Sequence, residues 1–196
     1  MKKFLIRAFI ISALTSSYPT VYSQIDSTLF KKLLAENIAK KIETEAGPDK
    51  IDIIVEKYAE KLGVSNAAIQ CPYLYVLIDE WIGTPYKYAG NDKRGVDCSG
   101  FVGQILKNFT DAKLPRSAAG MADAVTTKQK KDLKEGDLVF FHLRNIRNKH
   151  VGIYLHNGWF VHASTINGVT LNNLNAGTYQ HRYSKCGSVR WNLPEQ

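Results

Sequence analysis

The sequence has no internal repeat, no low-complexity tract and no clear linker between its parts. A repeat architecture is therefore excluded, and the 196 residues suit one domain, or one domain with an appendage. The hydrophobic content of 44% is ordinary for a globular protein and allows a sizeable core.

Long hydrophobic runs are also missing. The apolar run from Ala8 to Leu14 is too short to span a bilayer, so no stable membrane anchor is expected. Lys2, Lys3 and Arg7 precede this run, and small and polar residues follow it. We therefore predict a secretory signal peptide at residues 1–23 and export to the periplasm or the extracellular space. No cysteine lies near the predicted cleavage site, so lipid modification is not expected.

Cysteine is scarce: the chain contains Cys71, Cys98 and Cys186, and no two of them are closely spaced. A structural zinc site is disfavoured, because it takes four ligands that usually include a short-spaced pair. Export permits a disulfide, but an odd number leaves at least one thiol free in the monomer. Cys71 and Cys186 either form a bridge or are two separate buried thiols, and Cys186 is expected to precede the last strand.

The predicted mature chain is basic. Loss of the three charged residues of the signal peptide lowers the formal net charge from +8 to +5. Outside the cytosol this excess matches anionic polymers of the cell envelope better than nucleic acid, which is not an expected partner. Lysines on basic surfaces are also commonly only solvated.

Apolar residues recur at helical spacing in the N-terminal part of the mature chain. They predict one helix that stops at Gly47 and Pro48, and a second helix that follows. The apolar face of the second helix comprises Ile51, Ile54, Val55, Tyr58 and Leu62. A third helix is expected over about 73–81, and a strand-rich half comes later. We therefore predict an α+β fold, with a helical extension at 24–71 and a catalytic-sized unit at 72–196.

The motif GVDCSGFV places Cys98 at the start of a further predicted helix, with Asp97 in the N-cap position. The apolar stripe of this helix comprises Phe101, Val102, Ile105, Leu106 and Phe109. Cys98 lies in the first turn, where unpaired backbone N–H groups and the helix dipole favour a thiolate. It is a candidate nucleophile, although a cysteine is more often a small core residue.

The segment NKHVGIYLHNGWFVHAST supplies candidate bases. Alternation predicts that His150 opens a strand on its less apolar face, and that His162 lies on the next strand. A nucleophilic cysteine needs an imidazole to take its proton and a partner to orient that imidazole, so Cys98, His150 and His162 fit a triad. Alternatively, the histidines are polar residues of a half-buried sheet. His156 falls in the turn and is expected to be only solvated.

The loop length of this hairpin decides whether such a triad can form. A two-residue loop would put His162 on the sheet face away from His150. A three-residue loop at 156–158 sets His162 opposite Gly152, on the face of His150 and within hydrogen-bond reach of it. Such a loop is typically a type I turn followed by a left-handed residue in a G1 bulge, and we predict a positive φ at Gly158.

Three elements in this order, GTPYKYAGNDKRGVDCSGFV, GDLVFF and HVGIYL followed by FVHAST, resemble the NlpC family of papain-like bacterial cell-wall cysteine peptidases. The resemblance covers residues 72–193. It implies helices packed on an antiparallel sheet, a catalytic triad of Cys98, His150 and His162, and no metal or other cofactor. Tyr86 matches a family tyrosine that lies beside the nucleophile and helps to stabilise the oxyanion.

The same resemblance implies a substrate and its binding residues. Asp97 and Ser99 match positions that line the substrate site, and Arg116 lies in LPRSAAG, which looks like the groove-lining loop; alternatively, Arg116 is an ordinary surface residue. The implied reaction cuts peptidoglycan stem peptides between γ-D-glutamate and the following diamino acid through an acyl-enzyme. No SH3-like or lysin-motif module is recognisable and the helical extension stands in its place, which favours an endopeptidase.

Two other functions stay open at this point. A cysteine amidase or acyltransferase of the same superfamily would use the same residues on a substrate other than peptidoglycan, because the triad fixes the mechanism and not the acyl group. The other alternative is a wall-binding protein that keeps the fold without the chemistry, which the intact triad disfavours.

Overall fold

The computed structural model describes residues 48–109, 113–143 and 146–189; the predicted signal peptide and the first predicted helix lie outside them. Within the described residues, no helix is long and apolar enough to cross a bilayer. A six-stranded antiparallel sheet forms the centre of the fold and helices pack on it, which confirms the predicted α+β class.

Two helices, α1 (Pro48–Leu62) and α2 (Pro72–Trp81), pack against each other at the N-terminal end of the described chain. Both begin with proline, whose fixed φ and missing N–H suit the first helical turn, so Pro48 starts α1 as well as marking the predicted stop before it. Gly63 follows α1 with a φ of +67°, a left-handed conformation that commonly terminates helices. The predicted apolar face of α1 is buried at Ile54, Val55, Tyr58 and Leu62 and half-buried at Ile51.

Two capped helices follow, α3 (Cys98–Leu106) and α4 (Ala118–Ala124). The Asp97 carboxylate accepts the Gly100 N–H over 2.7 Å, which confirms the predicted N-cap, and the Ser117 hydroxyl caps α4 in the same way. The predicted stripe of α3 is buried at Phe101, Val102, Ile105 and Leu106. Phe109, the fifth predicted member, lies beyond the end of α3 and is half-buried against the core.

The strands form one small and one large sheet. A hairpin of β1 (Asn91–Asp92) and β2 (Gly95–Val96) precedes α3. The large sheet comprises β3 (Val125–Lys128), β4 (Leu138–Leu143), β5 (Ile146–Tyr154), β6 (Trp159–Ser164), β7 (Gly168–Asn173) and β8 (Tyr183–Val189). Its order is β3-β8-β4-β5-β6-β7, and a short helix α5 (Gly177–Arg182) precedes β8. Cys186 therefore lies within β8, and its predicted place before the last strand was wrong, because β8 begins at Tyr183.

The two faces of the large sheet are covered differently. The main core lies between the sheet and helices α1 to α4, and Val151 and Ile153 of β5 point into it. A smaller apolar cluster lies on the opposite face, where α5 packs, and comprises Val139, Phe141, Phe160, Leu174 and Cys186. His150 alternates with Val151 and contacts Phe141, so it lies on this second face, the less apolar one, as predicted. The prediction that His150 opens the strand was wrong, because β5 already begins at Ile146.

The β5–β6 hairpin has the register of a three-residue loop, which confirms the prediction. Ile153 pairs with Val161. One step along this register, His162 falls opposite Gly152 and on the same face as His150. The fold therefore brings both histidines to one side of the sheet.

The turn of this hairpin differs from the predicted type I turn with a G1 bulge. Asn157 has a φ of +51° and Gly158 a φ of +82°, so two consecutive residues are left-handed. The Trp159 N–H donates to the His156 carbonyl over 2.8 Å and closes a turn of the I′ kind around them. The positive φ at Gly158 is confirmed, but the turn type was wrong, because asparagine also tolerates the left-handed region.

Candidate active site

Cys98 is the first residue of α3, and its thiol reaches β5. The side chain is buried, and the backbone N–H of Val151 interacts with the sulfur. The ladder between β5 and β6 has two residue pairs, Ile153 with Val161 and Tyr154 with Phe160. Val151 lies beyond these two pairs on β5. The thiol therefore contacts a part of β5 that does not pair with β6.

The two histidines form a buried pair beside this point. His150 Nε2 and His162 Nδ1 lie 2.7 Å apart, and the two rings are perpendicular, with centroids 4.8 Å apart. His150 is 8% exposed and His162 is 1% exposed. The predicted hydrogen bond between them is confirmed. His150 directly precedes Val151, the residue whose backbone N–H interacts with the Cys98 sulfur.

Burial controls the charge of all three groups. It lowers the pKa of His150 to about 3, with repulsion from a protonated His162 adding to the effect. Burial also lowers the pKa of His162 to about 4, and the hydrogen bond to Asn172 offsets part of this shift. Burial also raises the pKa of the Cys98 thiol, although the N–H groups of Val151 and Ser99 oppose this shift. Burial therefore favours the neutral forms of all three groups, whereas the N–H groups at the start of α3 favour the thiolate.

Tyr86 lies beside Cys98, in the chain segment that precedes α3. Its backbone forms a bridge with Val96, two residues before Cys98. Burial raises the pKa of the Tyr86 phenol, and negative charge on Cys98 and Asp97 raises it further. The half-buried hydroxyl therefore stays protonated and is able to donate a hydrogen bond.

Asp97, Ser99 and Arg116 form one hydrogen-bonded network at the start of α3. Arg116 Nη1 donates to Asp97 Oδ1 over 2.8 Å and to Ser99 Oγ over 3.0 Å, and Arg116 Nη2 donates to the Gly90 carbonyl over 2.8 Å. Ser99 Oγ donates to the Arg116 carbonyl over 2.7 Å. Burial raises the pKa of the Asp97 carboxyl, but the bonds from Arg116 and Gly100 outweigh it, so the net pKa is lowered.

This network fixes the backbone around Cys98. It ties the N-terminus of α3 to Gly90 and to the loop before α4, while 47% of the Arg116 side chain stays exposed to solvent. Arg116 is therefore a bridging residue and not merely a surface one. A direct contact of Asp97, Ser99 or Arg116 with substrate stays a prediction.

Two polar residues beside His162 escaped the sequence analysis. Asn172 Oδ1 of β7 lies 2.9 Å from His162 Nε2, and the Tyr179 hydroxyl of α5 lies 3.1 Å from the same nitrogen. On β7, Val169 and Leu171 alternate with polar residues, and this pattern could have predicted that Asn172 lies on the sheet face away from the main core. No pattern links Tyr179 in sequence to His162, because α5 reaches the sheet only through the tertiary fold.

His156 and the remaining cysteines also have defined surroundings. His156 Nε2 lies 2.8 Å from Glu135 Oε2, so the expectation that it is only solvated was wrong. Cys71, Cys98 and Cys186 are all free thiols. The unpaired state predicted for Cys98 is thus confirmed, and of the two alternatives left open, Cys71 and Cys186 are separate thiols.

The sequence profile of the NlpC/P60 family matches residues 83–188, a range that includes every predicted site residue. The chain is 38% identical over 121 residues to a "probable endopeptidase NlpC homolog" of Haemophilus influenzae, covering 62% of this chain and 64% of that protein. It is 36% identical over 110 residues to the murein DD-endopeptidase MepS/murein LD-carboxypeptidase of Escherichia coli, covering 56% of this chain and 58% of that protein.

A further relative and a solved structure are similar over the same part of the chain. The gamma-DL-glutamyl hydrolase of Bacillus subtilis is 39% identical over 108 residues, which cover 54% of this chain and 25% of that protein. The crystal structure of an NlpC/P60 family protein from Bacillus cereus superposes with a TM-score of 0.55 at 28% identity, covering 59% of this chain and 39% of that one. The predicted papain-like NlpC fold is thereby confirmed. The chain spans less than two thirds of the length of each of these proteins.

Proposed function

The chain belongs to the NlpC/P60 family, and on that premise we propose that it is a cysteine peptidase acting on the stem peptides of peptidoglycan. In this proposal Cys98 is the nucleophile, His150 the general base and His162 the group that orients His150. The observation that carries it is the 2.7 Å contact between two buried imidazoles, next to the strand residue whose N–H reaches the thiol.

The reaction begins from neutral groups. His150 takes the proton from Cys98 as the sulfur attacks the carbonyl carbon of the scissile amide, so a C–S bond forms and the carbonyl oxygen becomes an oxyanion. The backbone N–H of Cys98 and the Tyr86 hydroxyl donate hydrogen bonds to that oxygen. His162 accepts a hydrogen bond from His150 and stabilises the imidazolium that forms.

The second half of the reaction releases both products. The tetrahedral intermediate collapses, the C–N bond breaks and the leaving amine takes the proton from His150. Water then attacks the thioester while His150 removes one of its protons, and collapse of the second intermediate breaks the C–S bond. The freed sulfur regains the proton, and the carboxylic acid product leaves.

The bond between γ-D-glutamate and the following diamino acid is the proposed point of cleavage, within intact stems. The name of the Bacillus subtilis relative supports a γ-glutamyl bond, whereas the name of the Escherichia coli relative points to cross-links and to the carboxyl ends of stems. Export to the wall is part of the proposal, and it is supported by the charged and apolar pattern of residues 1–23.

Digestion of purified sacculi with the protein, followed by mass spectrometry of the soluble products, tests this proposal. Cleavage after γ-D-glutamate leaves L-alanyl-D-glutamate on the glycan and frees an amino group of the diamino acid. Cleavage of cross-links would instead convert dimeric muropeptides to monomers with unshortened stems. The first pattern is expected; the second would replace the proposed bond while keeping the enzyme class.

The Cys98→Ala variant tests the mechanism. It is expected to lower turnover at least about 10³-fold, because the nucleophile is lost, and to leave thermal unfolding nearly unchanged, because the side chain lies at a helix start and not on the apolar stripe. Cys71→Ala is the matched control, since Cys71 is a free thiol outside the site, and it should keep full activity. A folded Cys98→Ala protein that still hydrolyses sacculi would refute the mechanism.

A further inference from the structure

His162 is held on its far side by two residues that the triad does not include. Its Nε2 lies 2.9 Å from Asn172 Oδ1 and 3.1 Å from the Tyr179 hydroxyl. We propose that Asn172 is a positioning residue: it holds the Tyr179 hydroxyl in the role of a second acceptor and so selects the histidine tautomers in which His150 is able to take a proton from Cys98. This inference rests on the proposed role of His150 as the base.

The selection starts at Asn172, whose carbonyl oxygen accepts hydrogen bonds and cannot donate them. His162 Nε2 must therefore carry the proton, which leaves His162 Nδ1 bare. His162 Nδ1 then accepts a hydrogen bond from the Nε2–H of His150 across the observed 2.7 Å. A neutral His150 with its proton on Nε2 has a bare Nδ1, and that lone pair is the one available to the Cys98 thiol.

The opposite arrangement is possible in principle and would disable the site. If the Tyr179 hydroxyl donated to His162 Nε2, the proton of His162 would move to Nδ1 and be donated to His150 Nε2. His150 would then carry its own proton on Nδ1 and have no lone pair for Cys98. In that state the Asn172 oxygen would lie 2.9 Å from an unprotonated nitrogen, and the lone pairs of the two atoms would repel each other. Asn172 therefore opposes the inactive tautomers, and the Tyr179 oxygen acts as a second acceptor.

The fold leaves little freedom around this contact. His162 is 1% exposed, and its ring stacks on Phe160 and meets the Tyr179 ring edge-on, with centroids 5.0 Å and 5.1 Å away. Asn172 pairs with Phe160 across the β6–β7 ladder. The residue of β7 that pairs with His162 lies two positions from Asn172, so the side chains of Asn172 and His162 lie on the same face of the sheet. Asn172 and Tyr179 are themselves half-buried. A leucine that fills the place of Asn172 therefore leaves Tyr179 as the protein group that sets the tautomer.

Kinetics of three variants test the proposal. Asn172→Leu should lower kcat about 10- to 100-fold with little change in KM, because the donated Tyr179 bond now favours the inactive tautomers. Asn172→Asp keeps the acceptor and should restore most of kcat. The double variant Asn172→Leu/Tyr179→Phe should be more active than Asn172→Leu alone, because the competing donor is gone. A double variant that is less active than Asn172→Leu would overturn the proposal, since a purely packing role predicts that outcome.

Nitrogen NMR of histidine-labelled protein reads the tautomers without any substrate. His150 and His162 should both carry the proton on Nε2 in the wild type and on Nδ1 in Asn172→Leu. Unchanged tautomers in Asn172→Leu would overturn the inference even if kcat falls. Activity of Cys98→Ala would instead refute the proposed function, so the two failures are distinguishable: the NMR result concerns the histidine pair alone.

Discussion

At the scale of single residues, two opposing effects set the resting state of Cys98. The free N–H groups at the start of α3 stabilise a thiolate, whereas burial stabilises the neutral thiol. Burial dominates, because the net pKa of the thiol is raised. His150 is neutral for the same reason. In the proposed mechanism, transfer of the proton from Cys98 to His150 therefore accompanies the attack on the substrate.

Gly152 makes room for the histidine pair, and its replacement gives a prediction at the same scale. A Cβ atom on Gly152 would lie 2.8 Å from the Val161 carbonyl oxygen and 3.2 Å from the His162 Cβ. Gly152→Ala should push β6 away from β5, cost about 1–3 kcal/mol of unfolding free energy and lower kcat. Urea unfolding and turnover of the purified variant measure the two effects.

Gly103 offers the matched control for this substitution. It lies in α3, and a Cβ atom there would meet only the Met121 Cε at 4.0 Å. Gly103→Ala should therefore keep stability or raise it by up to about 1 kcal/mol, because alanine is the better helix former. Equal stability of the two alanine variants would contradict the close approach at Gly152.

At the scale of elements, the turn between β5 and β6 holds the N-terminal helices. Asn157 Nδ2 donates to the carbonyls of Leu62 and Gly63 over 3.0 and 3.1 Å, where α1 ends. His156 contacts Glu135, which in turn accepts the backbone N–H groups of residues 70 and 71 before α2. The hairpin that presents the histidines is therefore linked at its tip to both α1 and α2.

Substitution of Asn157 tests how much this link contributes to the free energy of unfolding. Asn157→Gly keeps the left-handed conformation without strain but removes two hydrogen bonds to the end of α1, and should cost about 1–2 kcal/mol. Asn157→Ala should cost about 1 kcal/mol more, because alanine is strained at a φ of +51°. Thermal unfolding and hydrogen exchange of α1 report both effects. If Asn157→Gly is as stable as the wild type, the link contributes nothing.

Local chemistry explains which elements the sequence predicts and which it does not. The N-cap at Asp97, the stripe of α3 and the face of α1 follow from short-range spacing, and all three are confirmed. The register of β5 and β6 is predictable because only one register puts His150 and His162 on one face. The turn type is not, because asparagine fits several turns.

The surroundings of the histidines are the part that local spacing does not predict. Asn172 and Tyr179 come from β7 and α5, and they meet His162 only once the sheet order is fixed. The neutral state of Cys98 likewise depends on burial, which is a property of the whole fold. Sequence motifs therefore predict the candidate reacting groups, while the folded structure determines how deeply those groups are buried and which side chains they contact.

At the scale of the whole molecule, the buried histidines make stability depend on pH. Their pKa values are lowered to about 3 and about 4, whereas in the unfolded chain each is about 6.5. Below pH 6.5 the unfolded chain binds protons that the native protein does not, so stability falls as the pH is lowered. From about pH 8 to about pH 5 the expected loss is about 2 kcal/mol for each histidine.

Urea unfolding across this range measures the loss. At pH 5 both imidazoles of the native protein are still neutral, because both pKa values lie below 5. His162→Gln removes one of the two titrating groups and should reduce the pH dependence by about half. A wild-type stability that is flat between pH 8 and pH 5 would show that the native histidines take up protons as readily as those of the unfolded chain, and would contradict their burial as neutral groups.

The N-terminal helix α1 shares the main core with the rest of the molecule, which leads to a last prediction. Tyr58 packs on Tyr75 of α2 with ring centroids 5.2 Å apart, and Lys57 and the Tyr58 hydroxyl both contact Asp79. The other core residues of α1 are Ile54, Val55, Ala59 and Leu62. Removal of α1 therefore exposes apolar surface on α2 and should lower the unfolding free energy by at least about 3 kcal/mol.

Two shortened chains isolate this effect. One begins at Pro48 and keeps α1, and the other begins at Gln70 and lacks it, so their difference reports α1 alone. The longer of the two should unfold at the higher temperature and keep the higher turnover on sacculi, because the hairpin tip loses its partners at Leu62 and Gly63 in the shorter one. Equal stability and equal turnover would mean that α1 neither supports the core nor shapes the site, and that residues from about 70 onward suffice for both.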